Sequence, residues 1–388
     1  MKYPIFFTFA LSTLPLLSAQ RNVDCAPASP AYCNPDDCSK SYCLGPENYG
    51  ASAPVRPYTC NGDLEITLAG FYWNAHQDGM EYAIETHSIG PDQEDRSTLI
   101  DADYKNPNFN WDFGFKVGLG YNTTCDGWDF GAVWTRYQGK ASSHNESEQD
   151  DNTSLLPLWT DYQVNDPGDV LFVRDITTNW QLKLNLVDIG LGRMYWNSRR
   201  LNLRPHVGIR IGSIDQNFHI EHKGGSFNDT PSGNDVSNEV DLDNVFKGAG
   251  ARIGLDSLWN VGCGWSIYGD FAFSVLSGRF NIDHDEMNRE VAAPFSKSKV
   301  MEIKDTFKNN ILAADLGLGV HYQTLLCDCD YALSVSFGWE QHLFLNQNQM
   351  WRIVIQQGSS TSDLNNIYHQ RRGDLSTNGW TLRVTFDF

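Results

Sequence analysis

The sequence predicts an all-β fold: a transmembrane antiparallel up-and-down β-barrel with short periplasmic turns and long extracellular loops. Three observations carry the prediction. Apolar residues occupy every second position in segment after segment, short and long connections alternate strictly, and the last segment ends on an aromatic residue. A soluble sandwich has no reason to keep that asymmetry of connections.

The chain opens with Lys2 and an apolar run from Ile5 to Leu17, followed by Ser18 and Ala19. This reads as a secretory signal peptide over 1–19, with cleavage expected near Ala19. No later run is long and apolar enough for a membrane-spanning helix. Residues 20–62 are rich in Cys, Pro, Asn, Asp and Ser and show no apolar period, so they read as a Cys-rich periplasmic segment ahead of a barrel over 63–388.

The first strand is expected over Asp63 to Asn74, with Leu64, Ile66 and Leu68 on one face. The clearest alternation follows: Trp111, Phe113, Phe115, Val117, Leu119 and Tyr121, then a turn from Asn122 to Gly127, then Trp128, Phe130, Ala132 and Trp134. Three further hairpins follow the same plan. Leu182, Leu184 and Leu186 lead through Asn197 to Arg199 into Leu203, Val207, Ile209 and Ile211, with a phase slip near Asp188 that suggests a bulge. Ala249 to Leu255 lead through Asn260 to Gly264 into Trp265 to Val275, and Leu312 to Tyr322 lead through Thr324 to Asp330 into Tyr331 to Trp339. The polar stretches 75–108, 138–178, 217–244, 281–308 and 345–374 read as exposed loops. Ten strands result by strict count, and β-like patches at Tyr82 to Ile84 and Trp351 to Ile355 extend the range to as many as 16.

The final strand carries Trp380, Leu382, Val384, Phe386 and Phe388, the pattern of a terminal signal for barrel assembly machinery. Outer-membrane lipid and that machinery are therefore the expected partners, with a homo-oligomer or disulfide-linked envelope proteins as further possibilities. Nucleic acid is excluded as a partner, because Lys and Arg number 29 against 48 Asp and Glu, a net charge of -19.

If the apolar faces meet lipid, the alternate positions face the lumen. Their charged members include Asp112, Lys116, Asp129, Lys183, Arg204, His206, Arg210, Arg252, Asp270, Asp315, Glu340 and Arg383, of which Lys116, Arg204, Arg210, Arg252, Asp270, Asp315, Glu340 and Arg383 are the candidate pore-lining residues. Two arrangements are open: a transverse charge separation across a constriction, or a salt-bridge network that fills the lumen. Many remaining lumen positions are Gly or Ser, which leaves room for water.

Nine cysteines stand at Cys25, Cys33, Cys38, Cys43, Cys60, Cys125, Cys263, Cys327 and Cys329. All are disulfide candidates in an exported protein, and the odd number leaves one for intermolecular pairing. If both termini face the periplasm, all nine share that side. Cys33, Cys38 and Cys43 lack zinc spacing and an interleaved His, so no metal is expected. Asp283, His284, Asp285 and Glu286 read as a loop cluster that is either a calcium site or, as charge runs usually are, solvated surface. No cofactor motif and no protease or lipase motif is found, so the chain is expected not to be an enzyme.

Several segments resemble the pore-forming major outer membrane proteins of Legionella and chlamydia-like bacteria. They are "GFYWNAHQDG" from Gly70, "WDFGFKVGLGY" from Trp111, "DGWDF" from Asp126, "LRPHVGIR" from Leu203 and "LRVTFDF" from Leu382. The resemblance implies an outer-membrane porin-like channel for small hydrophilic solutes or ions. It does not reach 20–62 or the long loops. A surface adhesin or structural barrel with a closed lumen is the alternative.

Overall fold

The computed structural model describes residues 63–87, 101–123, 126–147, 153–160, 171–228, 235–326, 331–356, 365–370 and 372–388, together with Val55 and Leu99. Ten long strands form the barrel: β1 (Asp63–Gln77), β2 (Trp111–Asn122), β3 (Trp128–Glu146), β4 (Asp175–Arg193), β5 (Leu201–Lys223), β6 (Val236–Gly262), β7 (Trp265–Glu290), β8 (Lys297–Leu326), β9 (Tyr331–Asn348) and β10 (Gly373–Asp387). Each pairs antiparallel with the next, and β10 returns to β1 with Ile66 opposite Phe386 and Tyr72 opposite Trp380. Closure leaves no free sheet edge, which is the condition for placing backbone N–H and C=O groups in lipid.

Outside the barrel, Ala83–His87 pairs with Asp103–Lys105 and with Thr153–Pro157, while Trp351–Gln356 pairs with Asn365–Gln370. The weaker β-like patches therefore form separate small sheets and leave the barrel at ten strands. Among the described residues no helix is long and apolar enough to cross a membrane.

The apolar face changes sides along the longer strands. On β5, Val207, Ile209 and Ile211 point outward and are exposed, whereas farther along Ile214, Phe218 and Ile220 point inward and are buried. Strand β7 behaves alike, with Ile267, Phe271 and Val275 outward, then Leu276, Phe280 and Ile282 inward. The first zone faces lipid and has a polar interior; the second rises above the membrane, faces water, and is packed with apolar side chains. We call these the lower and upper halves.

That reversal corrects four expectations. The stretches 217–244 and 281–308 are largely strand, since β5 runs on to Lys223, β6 begins at Val236, β7 runs on to Glu290 and β8 begins at Lys297. Their outward residues, such as Arg279, Asn281 and Asp283, are polar because they meet water, which gives strand the composition of loop. No bulge exists at Asp188: β4 and β5 stay in one register from Gly192 opposite His206 to Asp175 opposite Lys223. Leu182, Leu184 and Leu186 point inward, and Lys183 points out.

Cys263 occupies the tight turn between β6 and β7, exposed, with φ 53° between Gly262 at 126° and Gly264 at 80°. These three positive angles are the reason glycine flanks the turn. The other eight cysteines and the signal segment lie outside the described residues.

Candidate functional site

The lower half of the lumen holds a cavity of about 430 Å³ lined by charged residues from most of the strands. Regular alternation puts them there: on β5 and β6 every second residue points inward, so Arg204, His206 and Arg210 meet Arg252 and Asp256 from the neighbouring strand. Glycine provides room for the long side chains. A Cβ added at Gly192 would lie 2.7 Å from Nε of Arg204.

Seven of the eight predicted pore-lining residues join one continuous network of ion pairs bridged by a histidine. Arg210 spans Asp188 at 2.6 Å and Asp315 at 2.8 Å, and Arg252 also pairs with Asp315. His342 Nδ1 lies 2.7 Å from Asp315, and its Nε2 lies 3.6 Å from Glu340. Glu340 accepts from Lys116 at 2.5 Å and from Arg383 at 3.1 Å, and Arg383 reaches Asp270 at 3.7 Å. The eighth, Arg204, belongs to a second group in which it binds Asp129 and Asp256, each at 2.5 Å, with His206 at 3.4 Å from Asp256. Of the two arrangements the sequence leaves open, the charges form neighbouring pairs rather than two opposed walls.

Sequence reading missed Asp188, Asp256 and His342. The last two were available from spacing alone, two residues beyond Gly254 and Glu340 respectively. Asp188 was hidden by reading β4 in the wrong phase. Asp283, His284, Asp285 and Glu286 lie on strand β7 rather than in a loop, and they alternate: His284 and Glu286 are buried inside the upper half.

Trp73 marks the ceiling of the charged compartment. Its ring packs on His342 with centroids 4.6 Å apart, lies 5.0 Å from Lys116 Nζ, and its Nε1 donates to Thr381 at 3.1 Å. Above it the lumen is filled by Trp180, Phe218, Phe246, Phe280 and Phe344 from the strands, and by Met80, Tyr82, Leu155, Trp159 and Met350 from the connections, all fully buried. The charged cavity thus lies at the level of the lipid-facing residues, under a plug built mainly of apolar side chains.

A family model described as Legionella pneumophila major outer membrane protein precursor matches residues 58–388. The chain belongs to this family. It is an outer-membrane β-barrel protein, as the resemblance in its sequence implied. No curated protein matches it. Similar solved structures include the outer membrane protease OmpT from Escherichia coli, at 9% identity over 85% of this chain and 98% of that chain, TM-score 0.28. Others are a TodX deltaS2S3 mutant monoaromatic hydrocarbon channel, at 11% over 90% and 97%, TM-score 0.26, and a Pseudomonas aeruginosa FadL homologue, at 7% over 84% and 90%, TM-score 0.23. The expectation that the chain is not an enzyme is corrected here. It rested on a missing motif, and with an outer-membrane protease among the similar structures that exclusion is withdrawn. At these identities and scores the likenesses carry no activity over to this chain.

Proposed function

We propose that this protein is an outer-membrane channel for small hydrophilic solutes and ions, and that the form described here is its closed state. The observation that carries the reading is the charged cavity within the lipid-facing half. Ionisable groups at membrane depth are costly and are kept where they line an aqueous path or pair with one another, and this lumen has both the pairs and space for water. A ten-stranded barrel is narrow, so passage requires rearrangement of the plug.

The plug also favours a second reading, a surface or structural barrel whose lumen stays shut. Single-channel conductance of refolded protein in planar bilayers separates them. The double variant Phe246→Ala/Phe280→Ala thins the plug, since the two rings pack 4.8 Å apart. Discrete steps from the native protein, enlarged in the variant, are expected for a channel. Silence from both, in samples that remain heat-modifiable on unboiled electrophoresis, removes it and leaves the closed barrel.

We infer further that the cysteines tie the protein to its neighbours in the envelope from the periplasmic side. Non-reducing electrophoresis of isolated envelopes is expected to give reductant-sensitive multimers; monomer alone would refute the cross-link.

A further inference from the structure

Lys247, Arg279 and Lys308 lie on adjacent strands in direct register: Lys247 is opposite Arg279, and Arg279 is opposite Lys308. All three are exposed on the outer face of the barrel. Directly opposed like charges destabilise a sheet, and nearest neighbours on adjacent strands stand only about 5 Å apart. Other cations on these strands are neutralised, Arg289 and Lys297 by Glu239 and Lys299 by Asp285 and Glu302. The row of three has no ion-pair partner among the described residues, on a chain whose net charge is -19.

Its height supplies the explanation. Ala251, Val275 and Leu312 form the lipid-facing row below it, in the same register. From Val275 to Arg279, and from Leu312 to Lys308, is four residues, roughly 13 Å along the strand and less along the membrane normal because strands tilt. Val275 and Leu312 end the lipid-facing apolar runs of their strands, so the basic row stands above the hydrocarbon in the layer of the outer-leaflet headgroups, toward which long basic side chains reach. On the strands of the row itself acidic side chains of the same face, Asp243 and Asp283, begin two outward positions higher, and the nearest on the neighbouring strand is Asp215, opposite Val245 and one position higher.

The geometry points to a site for the phosphorylated headgroup of an outer-leaflet glycolipid, held by Lys247, Arg279 and Lys308 together. Phosphate oxygens between the strands would replace cation–cation repulsion by charge-assisted hydrogen bonds, with Arg279 at the centre able to bind in bidentate fashion. The lipid's acyl chains would lie along the Ala251, Val275 and Leu312 row beneath.

The test is retention of diphosphoryl lipid A by the full chain, refolded in neutral detergent and read by native mass spectrometry. The native protein is expected to retain it at least tenfold better than Lys247→Gln/Arg279→Gln/Lys308→Gln, and to bind the phosphate-free glycolipid no better than that variant does. A control that removes as many cations higher up, Lys297→Gln/Lys299→Gln/Lys304→Gln, should retain lipid as the native chain does. Without lipid the first variant should be at least as resistant to urea as the native chain, since its like charges are gone. Equal retention by native protein and first variant would overturn the proposal. So would equal retention of the phosphate-free glycolipid, or a row that binds millimolar inorganic phosphate and no lipid.

Discussion

Arg210 shows how a charge is held in the lower lumen. Its side chain is 2% exposed and touches two carboxylates, Asp188 across the strand pair and Asp315 across the lumen. Taking one partner from a buried pair leaves the other desolvated and uncompensated, at a cost of about 3–5 kcal/mol. Arg210→Ala should therefore lower the urea midpoint sharply, and Arg210→Ala combined with Asp188→Asn, which removes the carboxylate that the guanidinium binds through both oxygens, should recover part of the loss. If the double variant is no better than the single one, the Asp188 carboxylate is not what the guanidinium compensates.

Two histidines in the upper half give the plug a pH dependence. Asn238 donates through Nδ2 to Glu286 at 2.7 Å, so its Oδ1 faces His222 Nδ1 at 2.9 Å, and that nitrogen carries the proton. Burial pushes both His222 and His284 down to about 4. The unfolded chain takes up protons near pH 6.5 that the folded chain refuses, so this stability is complete above 6.5 and is lost as pH falls toward 4. The loss is on the order of 3 kcal/mol per histidine at the acid limit. The urea midpoint should drop between pH 7 and pH 4.5, and His222→Gln/His284→Gln should flatten that drop. An unchanged pH profile in the variant would remove the histidines as its cause.

At the scale of the strand, the change of apolar face is the element that sequence reading handled worst. The lower strands were legible because lipid on one side and a polar lumen on the other enforce a strict period of two, as in Trp111 to Tyr121 and Trp380 to Phe388. Nine of the ten strands were counted on that signal, and β4 on the inward-pointing Leu182, Leu184 and Leu186. The upper strands keep the same period in the opposite phase, and outward Asp, Asn, Ser and Lys gave them loop composition. A reader who follows phase rather than composition finds the switch on β5 between Ile211 and Ile214, and on β7 between Val275 and Leu276. The candidate site was legible to a similar extent: on correctly phased strands the named residues lie within the apolar runs while Asp256 and His342, just past Leu255 and Trp339, were missed, and Asp188 was lost on the one strand read out of phase.

The boundary is testable with one kind of substitution on one face of β5. Val207 and Asn217 both point outward, the first exposed to lipid in the middle of the outward apolar run and the second paired with Asp243 above the membrane. Arginine at a lipid-facing midplane position costs about 2–4 kcal/mol and falls to nearly nothing toward the interface. Val207→Arg should reduce folding stability in vesicles by that amount, and Asn217→Arg by well under 1 kcal/mol. Equal losses at the two positions would mean that the phase change on β5 does not mark the membrane surface.

The whole molecule is one closed sheet around two unlike compartments, and their order along the axis predicts selectivity if ions pass. The charged cavity is lined by eight carboxylates, Glu65, Asp129, Asp188, Asp256, Asp270, Asp315, Glu340 and Asp387, against five cations, Lys116, Arg204, Arg210, Arg252 and Arg383. Paired charges cancel at a distance, and the uncancelled remainder is negative. Two of the three surplus carboxylates, Glu65 and Asp387, stand where β1 meets β10, directly opposite each other in the register, at the end of the lumen remote from the plug, and the third lies where Asp129 and Asp256 share Arg204. In a low-dielectric wall such an excess concentrates cations and repels anions, and salt screens it over about 10 Å at 0.1 M. Under a potassium chloride gradient the reversal potential should therefore lie on the cation side, most strongly at low salt, and Glu65→Gln/Asp387→Asn should bring it toward zero while leaving the Arg210 and Glu340 pairs in place. A reversal potential on the anion side would mean that the five cations, rather than the surplus carboxylates, face the permeating ion.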